Sequence, residues 1–241
     1  RSAATQLAHC KYFSNLLASL EEQLLDTRQV QALDSIEHEV GNLRAAWEYA
    51  IHHQLNEEIA RSLHSLYYFY NLRGRAREGS TLFKKAEQVF SDSADETHQF
   101  LAARLKARRG VFETRLSEYS DAVELFTHSL EIFRRHADQQ ELAFTLLSYG
   151  SSLAQVGSFD LCRKVLNQSL ALHIEIDHAR GIASTLNELG ANEYQQGNYK
   201  LAEQFHLESL RIFREIVDPW GLAQTLSDLG NVDAELRNYL K

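Results

Sequence analysis

The sequence predicts an all-α protein in which antiparallel helix pairs stack one after another as a solenoid. A glycine recurs every 40 residues, at Gly110, Gly150, Gly190 and Gly230. Apolar residues between these glycines lie three to five positions apart, which is a helical spacing, and no strand-like alternation accompanies them. A fixed period of this length indicates structural units that each contact mainly their neighbours. Such proteins usually offer a binding surface, so we expect recognition rather than catalysis.

Three further positions recur in register with the glycine. Nine residues after it comes an aromatic residue, in order Tyr119, Phe159, Tyr199 and Tyr239. Twelve residues after it comes a small residue, in order Ala122, Cys162 and Ala202. Nineteen residues after it comes a serine followed by a leucine, the serines being Ser129, Ser169 and Ser209. We expect the glycine of the first helix and the small residue of the second to let the two backbones approach closely.

Residues 179–218 illustrate how one unit is built. Leu186 and Leu189 are spaced as on one face of a first helix. Gly197 then interrupts the pattern, as expected of a left-handed residue that ends a helix. A second amphipathic run follows, in which Leu201 is expected to face inward.

The same pattern divides the chain into an N-terminal helical cap and a series of repeats. The cap covers residues 1–56, and the repeats are expected at residues 57–94, 95–138, 139–178, 179–218 and, incomplete, 219–241. The register is weaker near the cap, where Tyr67 stands at the position of the crossing glycine. Terminal repeats are expected to deviate because one of their faces has no neighbour inside the array.

The repeat resembles the tetratricopeptide repeat. The resemblance rests on LxxLG at residues 186–190, GxYxxA at 197–202 and SL at 209–210, and it covers about residues 61–241. The unit is six residues longer than the 34 residues usual in that family. HEAT and armadillo repeats have a similar length but lack this glycine-to-alanine spacing, and WD40 blades would show strand alternation. The resemblance implies a right-handed superhelix with first helices along a concave groove.

A second resemblance concerns the segment before the repeats. EVGNLRAAW at residues 39–47 and LRGRxxEG at residues 72–79 are similar to the region after the winged helix in bacterial signal-transducing ATPases with numerous domains. That class includes maltose-activator-like transcriptional regulators, in which the repeat array is implied to be a sensor or autoinhibitory arm. The phosphate-binding motif GxxxxGK[ST] does not occur here, so the implied nucleotide-binding module of the same polypeptide is missing from this sequence.

The sequence contains no methionine, even at position 1, and the last repeat stops before its second helix. We therefore expect an excised part of a longer regulatory protein. Cys10 and Cys162 are far apart in sequence, and Cys162 occupies a small buried slot, so a disulfide is not expected. Neither a signal peptide nor an apolar run of membrane-spanning length is present, and we expect a cytoplasmic protein without membrane contact.

The eleven histidines do not form a metal-binding motif. His52 and His53 are adjacent and point to different helix faces, His173 and His178 are five apart, and HExxH is absent. His206 stands where an aromatic residue is common in the repeat and is expected to be packed and hydrogen-bonded. We expect no metal, no cofactor and no catalytic residue.

Acidic residues recur three positions after the crossing glycine, as Glu113, Glu193 and Asp233. Paired carboxylates can perform acid–base catalysis. These lie a full repeat apart, however, which is too far for one substrate atom. We expect them to contact basic or hydroxyl groups of the adjacent repeat.

The net charge of −8 disfavours direct nucleic-acid binding, which requires a concentrated basic face. The basic clusters are Arg73, Arg75 and Arg77, and then Arg104, Lys106, Arg108 and Arg109. Acidic residues lie in the neighbouring turns, so we interpret both clusters as solvated helix faces.

First helices of the tetratricopeptide family line the concave groove, and in this register that face is polar. The candidate binding residues are Arg61, His64, Tyr68, Asn71, Arg104, Thr114, Arg115, Ser151, Gln155, Asn187, Tyr194, Gln195, Gln224, Ser227 and Asn231. Arginine and tyrosine are frequent at recognition hot spots. Solvation alone is an equally good reading for each residue.

The sequence therefore predicts a non-enzymatic sensor or regulatory domain. Its expected ligand is a protein segment or a small-molecule inducer in the groove, which shifts how the array docks on the missing nucleotide-binding module. The alternatives are a passive assembly scaffold and, third, a hydrolase that uses Glu193 or a histidine.

Overall fold

A computed structural model describes residues 2–239 of the chain. These residues form eleven α-helices and one short 3-10 helix, with no strand among them, so the predicted all-α class is confirmed. The helices are α1 (Ala3–Leu20), α2 (Gln29–His52), α3 (Asn56–Leu72), α4 (Ala76–Ser91), α5 (Glu96–Arg115), α6 (Tyr119–His136), α7 (Gln139–Gln155), α8 (Phe159–Glu175), α9 (Ala179–Gln195), α10 (Tyr199–Glu215) and α11 (Pro219–Tyr239). The short helix, Gln23–Leu25, lies between α1 and α2. The side chain of Tyr239, the last aromatic of the predicted repeat, lies outside the described residues.

The chain divides into two compact units. The first unit extends to Glu118 and contains α1–α5, and the second unit begins at Tyr119 and contains α6–α11. The division falls inside the repeat proposed for residues 95–138. Three of the proposed repeats each contain two complete helices, namely α5 and α6 in residues 95–138, α7 and α8 in 139–178, and α9 and α10 in 179–218.

The turns of the second unit follow the 40-residue period. The turns within helix pairs contain Gly157 and Gly197, with φ of 75° and 78°, as the sequence predicts. The turns between pairs contain Ala137, Asp177 and Val217, with φ of 52°, 52° and 54°. A left-handed residue lets the chain reverse after a helix while its last carbonyls remain hydrogen-bonded.

The crossing glycines of the second unit lie where a side chain of the second helix enters. A Cβ atom on Gly150 would lie 2.5 Å from Leu166, and one on Gly190 would lie 2.7 Å from the ring of His206. Neither glycine could carry a side chain without displacing its neighbour. The predicted close approach at these two positions is confirmed.

The small residues and the serines of the repeat are also explained by packing. The small residues Ala122, Cys162 and Ala202 are fully buried. The hydroxyl groups of Ser169 and Ser209 each donate a hydrogen bond of 2.8 Å to a backbone carbonyl of the preceding helix. Each of these serines therefore ties the two helices of its pair together.

In the first unit the close approach occurs elsewhere. Tyr67 of α3 is buried, and its ring is tilted by 47° against that of Phe112 of α5, the ring centroids being 5.7 Å apart. Gly79 of α4 faces the same ring, and a Cβ atom there would lie 2.7 Å from it. The glycine that permits close packing is therefore on α4, twelve residues after Tyr67, at the position that a small residue occupies in the later repeats.

One inward position of the second unit was predicted wrongly. Leu201, expected to face inward, is 41% exposed. It lies near the start of α10, where the helix surface is open to solvent. Phe205, one turn further on, is partly buried against the core instead.

Candidate functional site

The predicted binding residues lie on the first helices of both units. In the first unit, α3 carries Arg61, His64, Tyr68 and Asn71, and α5 carries Arg104, Thr114 and Arg115. In the second unit, α7 carries Ser151 and Gln155, α9 carries Asn187, Tyr194 and Gln195, and α11 carries Gln224, Ser227 and Asn231. Each unit therefore has its own polar first-helix face.

A cluster of charged side chains surrounds His64 in the first unit. Its Nδ1 lies 2.9 Å from a carboxylate oxygen of Glu21, which can only accept a hydrogen bond. Its Nε2 lies 3.1 Å from the guanidinium of Arg104 and 2.8 Å from that of Arg108, which can only donate. The imidazole is therefore a neutral tautomer that carries its proton on Nδ1. We call these four side chains the arginine cluster.

Two members of the arginine cluster, Glu21 and Arg108, were not among the predicted binding residues. Arg108 is only 4% exposed, so the interpretation of its segment as a solvated helix face is wrong at this residue. Arg109 is also mostly buried and forms an ion pair with Glu87 of α4. Their burial depends on the packing of α5 against other helices, which the local sequence does not reveal.

The electrostatics of the cluster favour the ionised form of the Glu21 carboxyl group. The hydrogen bond from His64 holds the pKa of Glu21 below its usual value, against the opposing effect of burial. The charges of Arg104 and Arg108 lower the pKa of Glu21 further. Glu21 caps the C-terminal end of α1, so three different helices supply the cluster.

The other predicted residues of the first unit differ in exposure. Arg61 is exposed and donates a hydrogen bond of 2.9 Å to the side chain of Asn15. Arg115 is exposed, and Tyr68 and Asn71 are half-buried. Thr114 donates its hydroxyl proton to a backbone carbonyl of its own helix, 2.8 Å away.

In the second unit most predicted residues are open to solvent. Gln155, Gln195, Gln224, Ser227 and Asn231 are exposed, and Ser151 and Tyr194 are half-buried. Gln155 and Gln195 occupy equivalent positions, 40 residues apart, near the ends of α7 and α9. These side chains form a polar surface with amide donors and acceptors.

Asn187 differs from these residues because it is only 4% exposed. Its Nδ2 donates to a carboxylate oxygen of Asp228, and its Oδ1 lies 2.8 Å from Nδ1 of His206. The amide therefore joins α9 to α10 and α11. Its predicted role in binding remains a prediction, while its packing role is evident.

Two of the three recurring acidic residues, Glu193 and Glu113, have the structural contacts that the sequence predicts, whereas Asp233 is exposed. Glu193 is 1% exposed and accepts hydrogen bonds from Arg163 of the preceding repeat and from Asn198, each of 2.8 Å. Glu113 accepts a hydrogen bond of 2.7 Å from Ser80 of α4. The oxygens of Glu193 are thus occupied by fixed partners, which makes it a poor general base.

His173 and His206 are buried in the second unit. His206 is 1% exposed and hydrogen-bonded to Asn187, as predicted. Burial lowers the pKa of His173 to about 4, and its Nδ1 lies 3.2 Å from that of His178. Among residues 2–239, no three histidine, cysteine or acidic side chains are grouped as a metal site would require, and the absence of a native metal remains a prediction.

The second unit also contains an open cleft of about 680 Å³, which the sequence did not indicate. Leu189, Leu201 and Phe205 line its apolar part, and Arg163 and Lys200 lie at its polar rim. Its walls come from α8, α9 and α10, so its residues are scattered along the sequence.

Comparison with known proteins agrees with this description. The sequence pattern of the family described as tetratricopeptide repeat matches residues 141–215 and 181–241. The two matches overlap and together cover residues 141–241, which is most of the second unit. A search of curated proteins gave no match. No helix within residues 2–239 has the length and apolar character needed to cross a membrane.

Solved structures show the same kind of fold. BtubC (BKLC) from P. vanneervenii is 18% identical, with a TM-score of 0.62 over 89% of this chain and 87% of that one. A Rap protein complexed with Competence and Sporulation Factor is 15% identical, with a TM-score of 0.65 over 99% and 73%. Aspartyl phosphate phosphatase F from Bacillus subtilis is 12% identical, with a TM-score of 0.63 over 98% and 60%. At such identities the likeness establishes the helical-repeat fold alone, and this chain spans three-fifths of the phosphatase.

Proposed function

We propose that this chain is a regulatory binding domain whose first-helix faces hold an extended peptide segment. The observation that carries the proposal is the exposed polar surface of the second unit, with glutamines at equivalent positions of α7 and α9. Glutamine and asparagine side chains both donate and accept hydrogen bonds, so they can pair with the backbone of an extended segment. The tetratricopeptide match and the Rap protein complexed with Competence and Sporulation Factor support a role in binding rather than in catalysis.

The finer proposal is that binding acts as a signal. A segment or inducer that binds one arrangement of the repeats more tightly than another shifts the equilibrium between them. In a longer polypeptide this shift would alter the docking of a nucleotide-binding module, as the resemblance to signal-transducing ATPases and transcriptional regulators implies. A passive scaffold is the alternative, and neither version assigns a reaction to this chain.

A peptide selection on the full chain tests the binding function. The probe is a library of terminally blocked ten-residue peptides, and affinities of selected peptides are measured by fluorescence anisotropy. Gln155→Ala and Gln195→Ala together are expected to weaken binding about tenfold, since each removes hydrogen bonds to the peptide. The matched control replaces Gln168 and Gln204, which are exposed on the second helices α8 and α10. Equal losses in the two double variants would contradict the proposal.

The coding sequence upstream of Arg1 tests the finer proposal. A GxxxxGK[ST] motif followed by a winged-helix pattern would support a sensor that controls a nucleotide-binding module. An upstream sequence with neither feature would favour the scaffold.

A further inference from the structure

The open cleft of the second unit combines an apolar surface with a polar rim. Leu189 is buried, Phe205 is half-buried and Leu201 is 41% exposed, and all three line the cleft. Clefts of several hundred Å³ with apolar walls and a few polar groups are typical of binding sites. Covering the exposed part of Leu201 and Phe205 with another apolar side chain would be favourable.

Arg163 is held in a fixed position at the rim of the cleft. Its Nε donates a hydrogen bond of 2.8 Å to Oε1 of Glu193, and its Nη2 lies 2.7 Å from the same oxygen. Nη2 also donates to Oε1 of Gln196, 3.3 Å away. Within residues 2–239 no hydrogen bond joins Nη1 to another group, and the side chain is 40% exposed. The guanidinium is therefore fixed on one edge and presents two N–H donors on the other.

Lys200 provides a second positive charge at the rim. It lies in the first turn of α10, where the helix dipole is also positive, and it is exposed. Its ammonium group has no ion-pair partner among the residues that the structure describes, and Glu203, one turn further on, does not pair with it. Among the described residues that line the cleft, Glu193 is the single carboxylate, and it is already bonded to Arg163 and Asn198. A carboxylate brought to Lys200 would therefore displace no internal partner.

The packing of the repeat does not require these two cations. Forty residues earlier, Val123 stands at the position of Arg163, and Asp160 stands at the position of Lys200. The helices α6, α7 and α8 nevertheless form there as α8, α9 and α10 do here. The positive rim is therefore a property of this junction and not of the repeat pattern.

We propose that the open cleft is a docking site for a segment of a partner protein in which a bulky apolar side chain lies next to an aspartate or glutamate. The apolar side chain packs on Leu189, Leu201 and Phe205, and the carboxylate pairs with Lys200 and the free edge of Arg163. Because the whole chain has a net charge of −8, the local rim rather than general attraction selects the acidic segment. The site lies on α8, α10 and the end of α9, so it is additional to the first-helix surface of the proposed function.

The test is a titration of the full chain, labelled with ¹³C in its leucine methyl groups, with acetyl-Gly-Leu-Asp-Gly-amide at low ionic strength. The methyl signals of Leu189 and Leu201 report occupancy of the cleft. Acetyl-Gly-Leu-Asn-Gly-amide lacks the charge, and acetyl-Gly-Ala-Asp-Gly-amide lacks the bulky apolar side chain. Each is expected to bind at least about threefold more weakly, because each loses one of the two interactions.

Two variants of the cleft and two matched controls locate the binding site. Lys200→Gln is expected to weaken binding of the aspartate peptide about threefold and to leave the asparagine peptide unaffected. Leu201→Ser is expected to weaken binding of both peptides about fivefold. Both side chains are exposed, so neither change should disturb folding. The controls are Lys84→Gln, at an exposed lysine of α4, and Leu161→Ser, at the leucine 40 residues before Leu201, which is 43% exposed; both should leave the affinities unchanged.

Unchanged methyl signals, equal affinities for the aspartate and asparagine peptides, or equal effects of Lys200→Gln and Lys84→Gln would overturn the docking site. The double variant of Gln155 and Gln195 that tests the proposed function should bind acetyl-Gly-Leu-Asp-Gly-amide as the parent chain does. A loss there would mean that the peptide lies on the first-helix surface, which would remove the docking site. A library peptide that needs the two glutamines but not Lys200 would support the proposed function alone. An aspartate peptide bound at the cleft, with no library peptide that needs the glutamines, would retain the docking site and remove the proposed function.

Discussion

The two units carry the glycines that face a bulky side chain on different helices of the helix pair. In the second unit the glycine is on the first helix, where Gly150 faces Leu166 and Gly190 faces His206. In the first unit Tyr67 is on the first helix, and Gly79 of α4 faces Phe112 of α5. The comparison shows that a glycine is needed wherever a bulky side chain of a neighbouring helix packs against the backbone. The regular spacing of the glycines follows from the regular spacing of these contacts.

The units also differ in how their polar groups are satisfied. The first unit relies on charged groups, including the arginine cluster and the ion pair between Arg109 and Glu87. The second unit combines a buried ion pair of Glu193 with Arg163 and buried neutral groups, such as Ser209 bonded to a backbone carbonyl and Asn187 bonded to His206. Salt screens exposed charges but hardly affects buried neutral hydrogen bonds. The neutral hydrogen bonds of the second unit should therefore change little with salt.

The largest expected effect comes from adding a side chain at either close approach. Gly190→Leu in the second unit and Gly79→Leu in the first should each lower the free energy of unfolding by about 3 kcal/mol, because the new side chain overlaps His206 or Phe112. Each unit contains one tryptophan, Trp47 in the first and Trp220 in the second, so single-tryptophan variants report the denaturation of each unit separately.

Gly41 provides the control for both substitutions. It lies in α2, is exposed, and has nothing within 4 Å of an added Cβ atom. Gly41→Ala should stabilise the first unit by about 1 kcal/mol through helix propensity. Unchanged denaturation midpoints in Gly79→Leu and Gly190→Leu would remove the packing explanation of the glycines.

Lowering the pH should reduce the stability of the second unit, because protonation of buried His173 is less favourable in the folded chain than in the unfolded chain. Its folded pKa of about 4 lies below the usual 6.5 because the ring is buried, so the unfolded chain takes up the proton first as the pH falls. The stability is complete above pH 6.5 and is lost between there and pH 4, with a loss of about 2 kcal/mol at pH 5. Burial also lowers the pKa of His178 and of His206, which adds to the loss in the same direction.

The variant His173→Phe isolates the contribution of His173 to the loss of stability at low pH. Phe133 and Phe213 occupy the same position in the repeats on either side, and Phe213 packs over Gly221 as His173 packs over Gly181. The variant should fold at pH 7 and lose most of the destabilisation between pH 6.5 and pH 5 when urea denaturation is followed through Trp220. A pH profile identical to that of the parent chain would show that His173 is not the titrating group.

A smaller, stabilising effect is expected at Asn192. Its side chain is fully buried, and neither its Nδ2 nor its Oδ1 has a hydrogen-bond partner among the described residues. Val232 occupies the same position one repeat later and is also fully buried. Asn192→Val should therefore raise the stability of the second unit by about 1 kcal/mol in urea denaturation. Asn187→Val, which breaks two buried hydrogen bonds, should lower it, and a gain in both variants would contradict this account.

The sequence predicts features that depend on local register and misses those that depend on distant neighbours. The repeat glycines and the turns at Gly157 and Gly197 are visible because each requirement recurs at a fixed spacing. Gly79 stands at the small position of the register, twelve residues after Tyr67, but its contact with Phe112 is hidden because Phe112 lies on another helix. Arg108 was predicted to be solvated and Asn187 to line the groove, yet both are buried by helices distant in sequence.

The smallest effect is expected at Val217, which occupies a turn between helix pairs of the second unit, whereas glycine occupies the turns within those pairs. Val217 is 53% exposed and adopts φ of 54°, a conformation that a β-branched residue tolerates poorly. Val217→Gly relieves this strain but gives the unfolded chain more freedom, so a net gain of about 0.5 kcal/mol is expected. Gly197→Val, at a turn of similar φ, should lose about 1–2 kcal/mol. Thermal unfolding of both variants gives the change in stability at each turn. A loss of stability in Val217→Gly as large as that in Gly197→Val would mean that backbone strain does not distinguish the turns.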